Sequence, residues 1–415
     1  MFNTSLPRLL ILAALSIVVQ VGLWLGLPTD PALALTTEQR LFDQAWRVVS
    51  QAYLDDTFNH QNWWAVRQTV LSQPLPDRSR TYDVIREMLA SLEDPFTRLL
   101  EPAEYSNLQM TTSGALTGVG LQIATDRRNG EVIVIAPIAG SPAERVGLHP
   151  GDHIAAIDGQ STLDLSLDEA ASLMRGPRGT TVSLTVNRTT GDEPETWEVA
   201  VIRDVISLNS VIAELHQEDN LPPVGYIRLL QFNGNSRAEM EDALLTLESQ
   251  GAEGYILDLR NNPGGLLQAG IDVAKLWLDR GPIVYTVDRQ GVQGAYRADR
   301  FALTEDPLIV LVNRGSASAS EILAGALQEN DRAQLVGETT FGKGLIQSLF
   351  KLADGSGMAV TVAKYETPLH HDIHQEGIHP NVESIAPPPR SNQWGTLDDR
   401  QYQAALKVLR DQLAS

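Results

Sequence analysis

Twice in the second half of this chain a short, largely apolar run empties into a turn of small and polar residues and then into a helical stripe. Residues 255–259 lead through Asn261-Asn262-Pro263-Gly264-Gly265 to Leu267, Ile271, Ala274 and Leu278. Residues 308–312 lead through Gly315-Ser316-Ala317-Ser318 to a helical segment at 322–327. Runs of five residues suit strands and the stripes that follow suit helices, so β/α alternation from Ile206 onward predicts a layered α/β unit. Strand-to-helix turns of this kind expose backbone N–H groups.

The preceding residues follow other periods. From Thr36 to about Ala103, Leu41, Phe42, Ala45, Trp46, Val49, Ala52 and Tyr53 recur at three- and four-residue spacing, and Trp63, Trp64, Met88, Leu89 and Leu92 continue the pattern. A small helical cap is predicted, its aromatics serving as core. From about Glu104 to Val205 short alternating strands and glycine turns take over: Val182, Leu184 and Val186 alternate with Ser183 and Thr185. Gly118-Val119-Gly120-Leu121 is a glycine loop running into a strand, and Ser166-x-x-Glu169 has the form of a capping box opening a helix that runs to Arg175. With the Gly140–Gly159 connection, this segment resembles a PDZ domain. That resemblance implies that successive N–H groups of the 118–121 loop hold a C-terminal carboxylate while the next strand edge pairs with the peptide.

The expected organisation is an export signal at 1–34, a helical domain at 35–103, a PDZ domain at 104–205 and a catalytic α/β domain at 206–390. A C-terminal linker and helix follow at 391–415, the helix expected at 401–413, and Pro387-Pro388-Pro389 at the end of the catalytic domain already reads as linker. The fold class is thus α/β and α+β multidomain. Arg8 followed by a nearly uncharged stretch from Leu9 to Leu27 and by Ala32-Leu33-Ala34 reads as a signal peptide cleaved after Ala34; an uncleaved anchor is the alternative. The chain is expected to be exported and soluble once mature. A formal net charge of −20 argues against nucleic acid and anionic membrane surfaces as partners. With no cysteine among 415 residues, disulfides, thiolate nucleophiles and Cys-based metal sites are excluded.

Chemistry concentrates at Ser318 and Lys343. Ser318 occupies the second strand-to-helix turn, and Lys343 lies in Thr340-Phe341-Gly342-Lys343-Gly344 after another apolar run ending at Val336. A serine hydroxyl needs a neighbour to take its proton, and a lysine serves only where desolvation keeps its amine neutral. No Gly-x-Ser-x-Gly elbow is present and no histidine is near Ser318 in sequence, although sequence distance alone does not exclude a histidine triad. Gln347 follows Lys343 by four residues, within reach of its amine if that stretch is helical or tightly turned. Gly337-x-x-x-x-Gly342-Lys343 mimics a P-loop but places Gly344 where the magnesium-binding hydroxyl belongs. His370, His371, His374 and His379, with Asp372, are expected to line or support the site rather than bind metal.

These motifs, together with Asp258-Leu259-Arg260-Asn261-Asn262-Pro263-Gly264-Gly265, resemble the carboxyl-terminal processing proteases, also called tail-specific proteases. The resemblance implies Ser318 as nucleophile, Lys343 as general base and Gln347 as its orienting group, with an oxyanion hole at the Gly264 and Ala319 N–H groups. Neither metal nor cofactor is implied, and a monomer is expected. Residues 58–64 and 365–374 look like the cyanobacterial and chloroplast branch, which trims the reaction-centre D-one protein (PsbA) precursor of photosystem II in the thylakoid lumen, a step required by the oxygen-evolving manganese cluster. The alternatives are a general periplasmic tail protease and an inactive PDZ scaffold. Arg175 is a candidate for coupling tail binding to catalysis.

Overall fold

The computed structural model describes residues 35–126, 129–190, 193–217, 221–387, 389–390 and 392–414. The segment expected to direct export lies outside them, as does Pro388 of the expected linker. No helix among the described residues is long and apolar enough to cross a membrane.

The helical region comprises α1 (Thr37–Ala52), α2 (Trp63–Leu71) and α3 (Arg78–Ala90), then a strand, β1 (Arg98–Leu100). At the start of α1 the Thr36 hydroxyl accepts from Gln39 N–H, and the Gln39 side chain accepts from Thr36 N–H, each at 3.1 Å. This reciprocal cap satisfies two otherwise orphaned donors. Between α1 and α2 the residues Phe58, Asn59 and His60 all adopt left-handed conformations, with φ of 51, 57 and 58°. Phe58 stacks on Trp63 at 5.0 Å, and the Asn59 and Gln61 amides donate to Ser91 O. The 58–64 motif therefore builds a clamp between helices.

After α4 (Pro102–Ser113) come β2 (Ala115–Gly118), β3 (Leu121–Thr125), β4 (Val132–Pro137), α5 (Pro142–Arg145), β5 (His153–Ile157) and β6 (Gln160–Ser161). These are followed by α6 (Leu167–Met174), β7 (Thr181–Thr190), β8 (Glu193–Ile202) and β9 (Asp204–Ser207). The sheet runs β3-β4-β5-β7-β8 with β6 on β5, while β2 and β9 pair as a separate ribbon. The expected capping box at Ser166 and Glu169 opens α6. β3 lies at the sheet edge, its outer backbone available to a further strand.

The remainder comprises β10 (Val211–His216), β11 (Val224–Leu229), α7 (Ser236–Ser249), β12 (Gly254–Asp258), α8 (Leu267–Trp277), β13 (Pro282–Asp288) and β14 (Gly291–Arg297). It continues through β15 (Leu308–Val312), α9 (Ala319–Glu329), β16 (Gln334–Gly337), β17 (Leu345–Lys351), β18 (Gly357–Glu366), β19 (Val382–Glu383) and α10 (Arg400–Leu413). One sheet has the order β10-β11-β12-β15-β16-β19 and is parallel from β11 onward. Its strands alternate between two cores, as a period of two requires. Leu257, Val310 and Leu335 meet α7, α8 and α9, whereas Ile256, Ile309 and Leu311 meet Tyr402, Ala405 and Leu409 of α10. The C-terminal helix is thus the second layer of the α/β unit, where the sequence suggested an appended segment.

The helical cap is likewise not separate. β1 and β17 both pair antiparallel with β18, and Leu352, Met358 and Val360 complete the core formed by Phe42, Val49 and Ile85.

A buried polar cluster joins α10 to the first strand-to-helix turn. The Arg260 guanidinium donates to Asp258 at 2.9 and 2.6 Å and to Asp399, the N-cap of α10, at 2.9 and 2.6 Å. The Trp394 ring centroid lies 4.8 Å from its central carbon. Burial works to raise the Asp399 carboxyl, but the Arg260 guanidinium outweighs it and holds the group below the usual carboxylate range. Removing Arg260 strands two buried carboxylates, at a cost of about 3–5 kcal/mol. Arg260 therefore anchors the turn that follows it and is not free to enter the cleft.

Candidate active site

Three turns at the carboxyl ends of neighbouring parallel strands converge: 259–266 after β12, 313–318 after β15 and 338–344 after β16. Strands in a sheet lie about 4.8 Å apart, so residues distant in sequence are brought within a few ångströms, at the edge where open α/β sheets bind ligands.

The first two turns are stitched together by small side chains. Ser316 Oγ donates to Leu259 O at 2.8 Å, Ser320 Oγ donates to Asn262 O at 2.9 Å, and Ala317 N–H donates to the same carbonyl at 3.0 Å. Ser316 and Ser320 are fully buried and spent on structure. Ser318 alone of the three lines the cleft. It has φ 56° and ψ −114°, a conformation that costs on the order of 1–3 kcal/mol outside glycine and is typical of functional turns.

The fully buried Glu321 links this elbow to the third turn. Its Oε2 accepts from Ser318 N–H at 2.8 Å and Lys343 N–H at 2.9 Å, and its Oε1 accepts from Thr340 Oγ1–H at 2.6 Å and Gly342 N–H at 2.7 Å. All four partners are donors, a set that suits a carboxylate. The P-loop mimicry is explained as well: the Gly342 and Lys343 amides that would cradle a phosphate are given to this internal acid. Glu321 follows Ser318 by only three residues, but its reach to the lysine turn depends on tertiary pairing that the sequence does not display.

Ser318, Lys343, Gln347 and Gly264 line one cleft of about 410 Å³. Burial disfavours the charged form of Lys343 and Arg98 adds to that, against Asp94 and Glu321; the net effect holds its amine below the ordinary lysine value. Among the described residues no hydrogen bond joins Lys343 Nζ to Ser318 Oγ or to Gln347; the amine lies 4.9 Å from the centre of the Phe96 ring. Lys343 and Gln347 are not on a helical turn, contrary to the geometry that would let the amide reach back. Gln347 lies in β17, at a bulge, and its amide makes only a 3.5 Å contact with Thr361 Oγ1. The buried Tyr365 donates to Ser318 O at 3.1 Å, and burial, with Glu321 nearby, pushes its phenol well above the ordinary value.

Gly264 touches the elbow directly: with φ 93°, a Cβ there would come 2.6 Å from Ala317 O and 2.9 Å from Ser318 Cβ. Its N–H donates to Asn262 Oδ1 at 2.9 Å, so the expected oxyanion donor is engaged in a local turn. Ala319 is the first residue of α9, and its N–H has no partner among the described residues, as befits a helix start. Ser318 and Lys343 thus share the cleft without a hydrogen bond between them, and the Gly264 N–H expected at an oxyanion hole is turned to Asn262.

In the PDZ region the N–H groups of Val119 and Gly120 are unengaged among the described residues, while their carbonyls accept from Ala143 and Ile138 at 2.8 and 2.9 Å. Gly118, Val119, Gly120 and Leu121 border an apolar pocket of about 80 Å³ closed by Met174 and Arg175, large enough only for a small side chain. Arg175 caps α6 and donates to Asn107 Oδ1 of α4 at 2.7 Å; one residue on, Leu108 lines the cleft that holds Ser318 and Lys343.

The histidines are dispersed. His370 pairs with Glu366 at 3.0 Å, His371 with Glu329 at 2.8 Å and His379 with Thr339 at 3.0 Å. Their segment supports the lysine turn through Gln375 N–H to Gly342 O at 2.8 Å and Ile378 N–H to Thr340 Oγ1 at 2.7 Å.

Residues 223–384 match peptidase family S41, and residues 133–188 match the PDZ domain. A carboxyl-terminal-processing protease of Synechocystis sp. is 56% identical over 396 residues, covering 95% of this chain and 92% of that protein. The chloroplastic carboxyl-terminal-processing peptidase 2 of Arabidopsis thaliana is 45% identical, covering 85% and 70%. Among solved structures, a photosystem II D1 C-terminal processing protease superposes with a TM-score of 0.55 at 42% identity, covering 84% of this chain and 93% of that one.

Proposed function

Since the chain belongs to peptidase family S41, among the carboxyl-terminal-processing proteases, we infer that it cleaves C-terminal extensions with a Ser318/Lys343 dyad. What carries this inference is the shared cleft: a serine on a strained elbow and a partly desolvated lysine, tied through one buried carboxylate. Neutral Lys343 takes the Ser318 Oγ proton as the oxygen attacks the scissile carbonyl. The oxyanion is met by Ala319 N–H and by Gly264 N–H once it leaves Asn262. Collapse expels the C-terminal fragment as its amine takes the proton from Lys343, and water then releases the acyl group by the same steps. Closing requires Lys343 to leave Phe96 for Ser318, with Gln347 as the group that meets it there. Tail binding is the trigger: a carboxylate held by the Val119 and Gly120 N–H groups sits beside Arg175, whose bond to Asn107 leads along α4 to the cleft.

The proposed substrate is the photosystem II D1 precursor, and the proposed location the thylakoid lumen or periplasm, a mature soluble enzyme acting on a membrane-associated protein. The support is the 42% identity to a protease named for that processing and the chloroplastic relatives. To test this, the purified chain is incubated with the precursor's tail peptide as free acid and as amide, and with an unrelated protein of apolar C-terminus. Mass spectrometry is expected to show trimming of the free acid at least tenfold faster than of either other substrate. Equal trimming of all three contradicts tail-directed selectivity.

A further inference from the structure

A second cavity, of about 500 Å³, lies behind the catalytic turn, bordered by Tyr53, Leu92, Phe96, Phe341, Leu345 and His374. Leu345 borders both spaces; Lys343 faces only the catalytic cleft and Phe96 only the second cavity. The backbone that carries the Phe96 ring is pinned on both sides. Asp94 accepts from Phe96 N–H at 2.9 Å and from Thr97 Oγ1–H at 2.6 Å, and Thr97 Oγ1 accepts from Thr361 N–H of β18 at 3.0 Å. His374 meets the ring edge-on at 6.4 Å. The Lys343 amine, which has no hydrogen-bond partner among the described residues, lies 4.9 Å from the ring centre.

We propose that Phe96, contributed by the helical cap, is a positioning residue that holds Lys343 as its ammonium in the resting enzyme and releases it towards Ser318 once the amine is neutral. This rests on the dyad assigned above. An aromatic face attracts a cation through its quadrupole and a neutral amine far less, so the ring discriminates between the two protonation states. Deprotonation of the base and closure of the dyad become a single linked step. The other groups facing the amine are Arg98 from β1, Asp94 from the preceding turn and Glu321 from α9, with His374 across the ring and Tyr365 of β18 in the same cleft. Arg98, Asp94 and Glu321 act on it through charge alone, with no hydrogen bond to the amine among the described residues.

The test is the pH dependence of kcat/KM, which reports the free enzyme. Phe96→Leu keeps the site apolar but removes the ring face, whereas Phe96→Trp offers a stronger one. The acidic limb is expected to move down by about half to one pH unit in the first variant and up in the second, with intact folding checked by near-ultraviolet circular dichroism. Limbs unmoved in both variants, or moved in the same direction, overturn the proposal, because loss of packing alone lowers the plateau without shifting the two limbs oppositely. Absence of any acidic limb in the parent enzyme is a different failure and removes the dyad itself.

Discussion

Lys343→Ala is expected to lower kcat by about 10⁴- to 10⁶-fold on a tailed peptide, Ser318→Ala to fall equally far, and the double variant no further, because groups acting in one step are not additive. The fold should be unaffected. Lys343 Nζ makes no hydrogen bond among the described residues, so its removal strands no partner, and the elbow is held by main-chain bonds to Glu321 and Asn262 that do not use the Ser318 hydroxyl. Single-turnover cleavage beside a thermal melt separates the two effects. Undiminished turnover in Lys343→Ala would remove the lysine from the mechanism and direct attention to a different base.

Glu321→Gln carries the next largest consequence. An amide replaces one oxygen by a donor, and whichever way it is oriented, two of the four donors around Glu321 lose their acceptor in a fully buried site. Each unsatisfied donor costs about 1–3 kcal/mol, and a lysine turn displaced by an ångström costs roughly 10²-fold in rate. The variant is therefore expected to lose about 2–5 kcal/mol in urea unfolding and at least 10²-fold in kcat. If both numbers stay near those of the parent enzyme, Glu321 is not what registers the elbow against the lysine turn.

The parts of this site that sequence reveals are those whose function depends on local chemistry. Ser318 and Lys343 stand out because short apolar runs followed by small residues signal strand-to-helix turns, and β15 and α9 form where that pattern places them. The Gly118–Leu121 loop and the Ser166 capping box are equally local. What stayed hidden depends on pairing across long separations. Asp399 meets Arg260 from 139 residues away, so the terminal helix looked like an appendage when it is half of a core. Phe96 reached the site because β1 pairs with a strand some 260 residues later, which no periodicity in the cap announces. Gln347 sits in a strand and not at helical spacing from Lys343; the pairing of β17 with β18 brings it to the cleft of Ser318 and Lys343 without a bond to the lysine. The Gly264 N–H, engaged by Asn262, shows that motif identity fixes which atoms are near the chemistry but not their state at rest.

If a desolvated lysine is the base, kcat/KM of the parent enzyme must follow the titration of its amine. Burial and Arg98 hold the amine below its ordinary 10.5, and only the neutral form accepts a proton. Activity should therefore rise about tenfold per pH unit on the acidic side and level off once the pH passes the lowered value, with the midpoint below 10.5. A profile that is flat across the acidic and neutral range, or one that falls as pH rises, contradicts it.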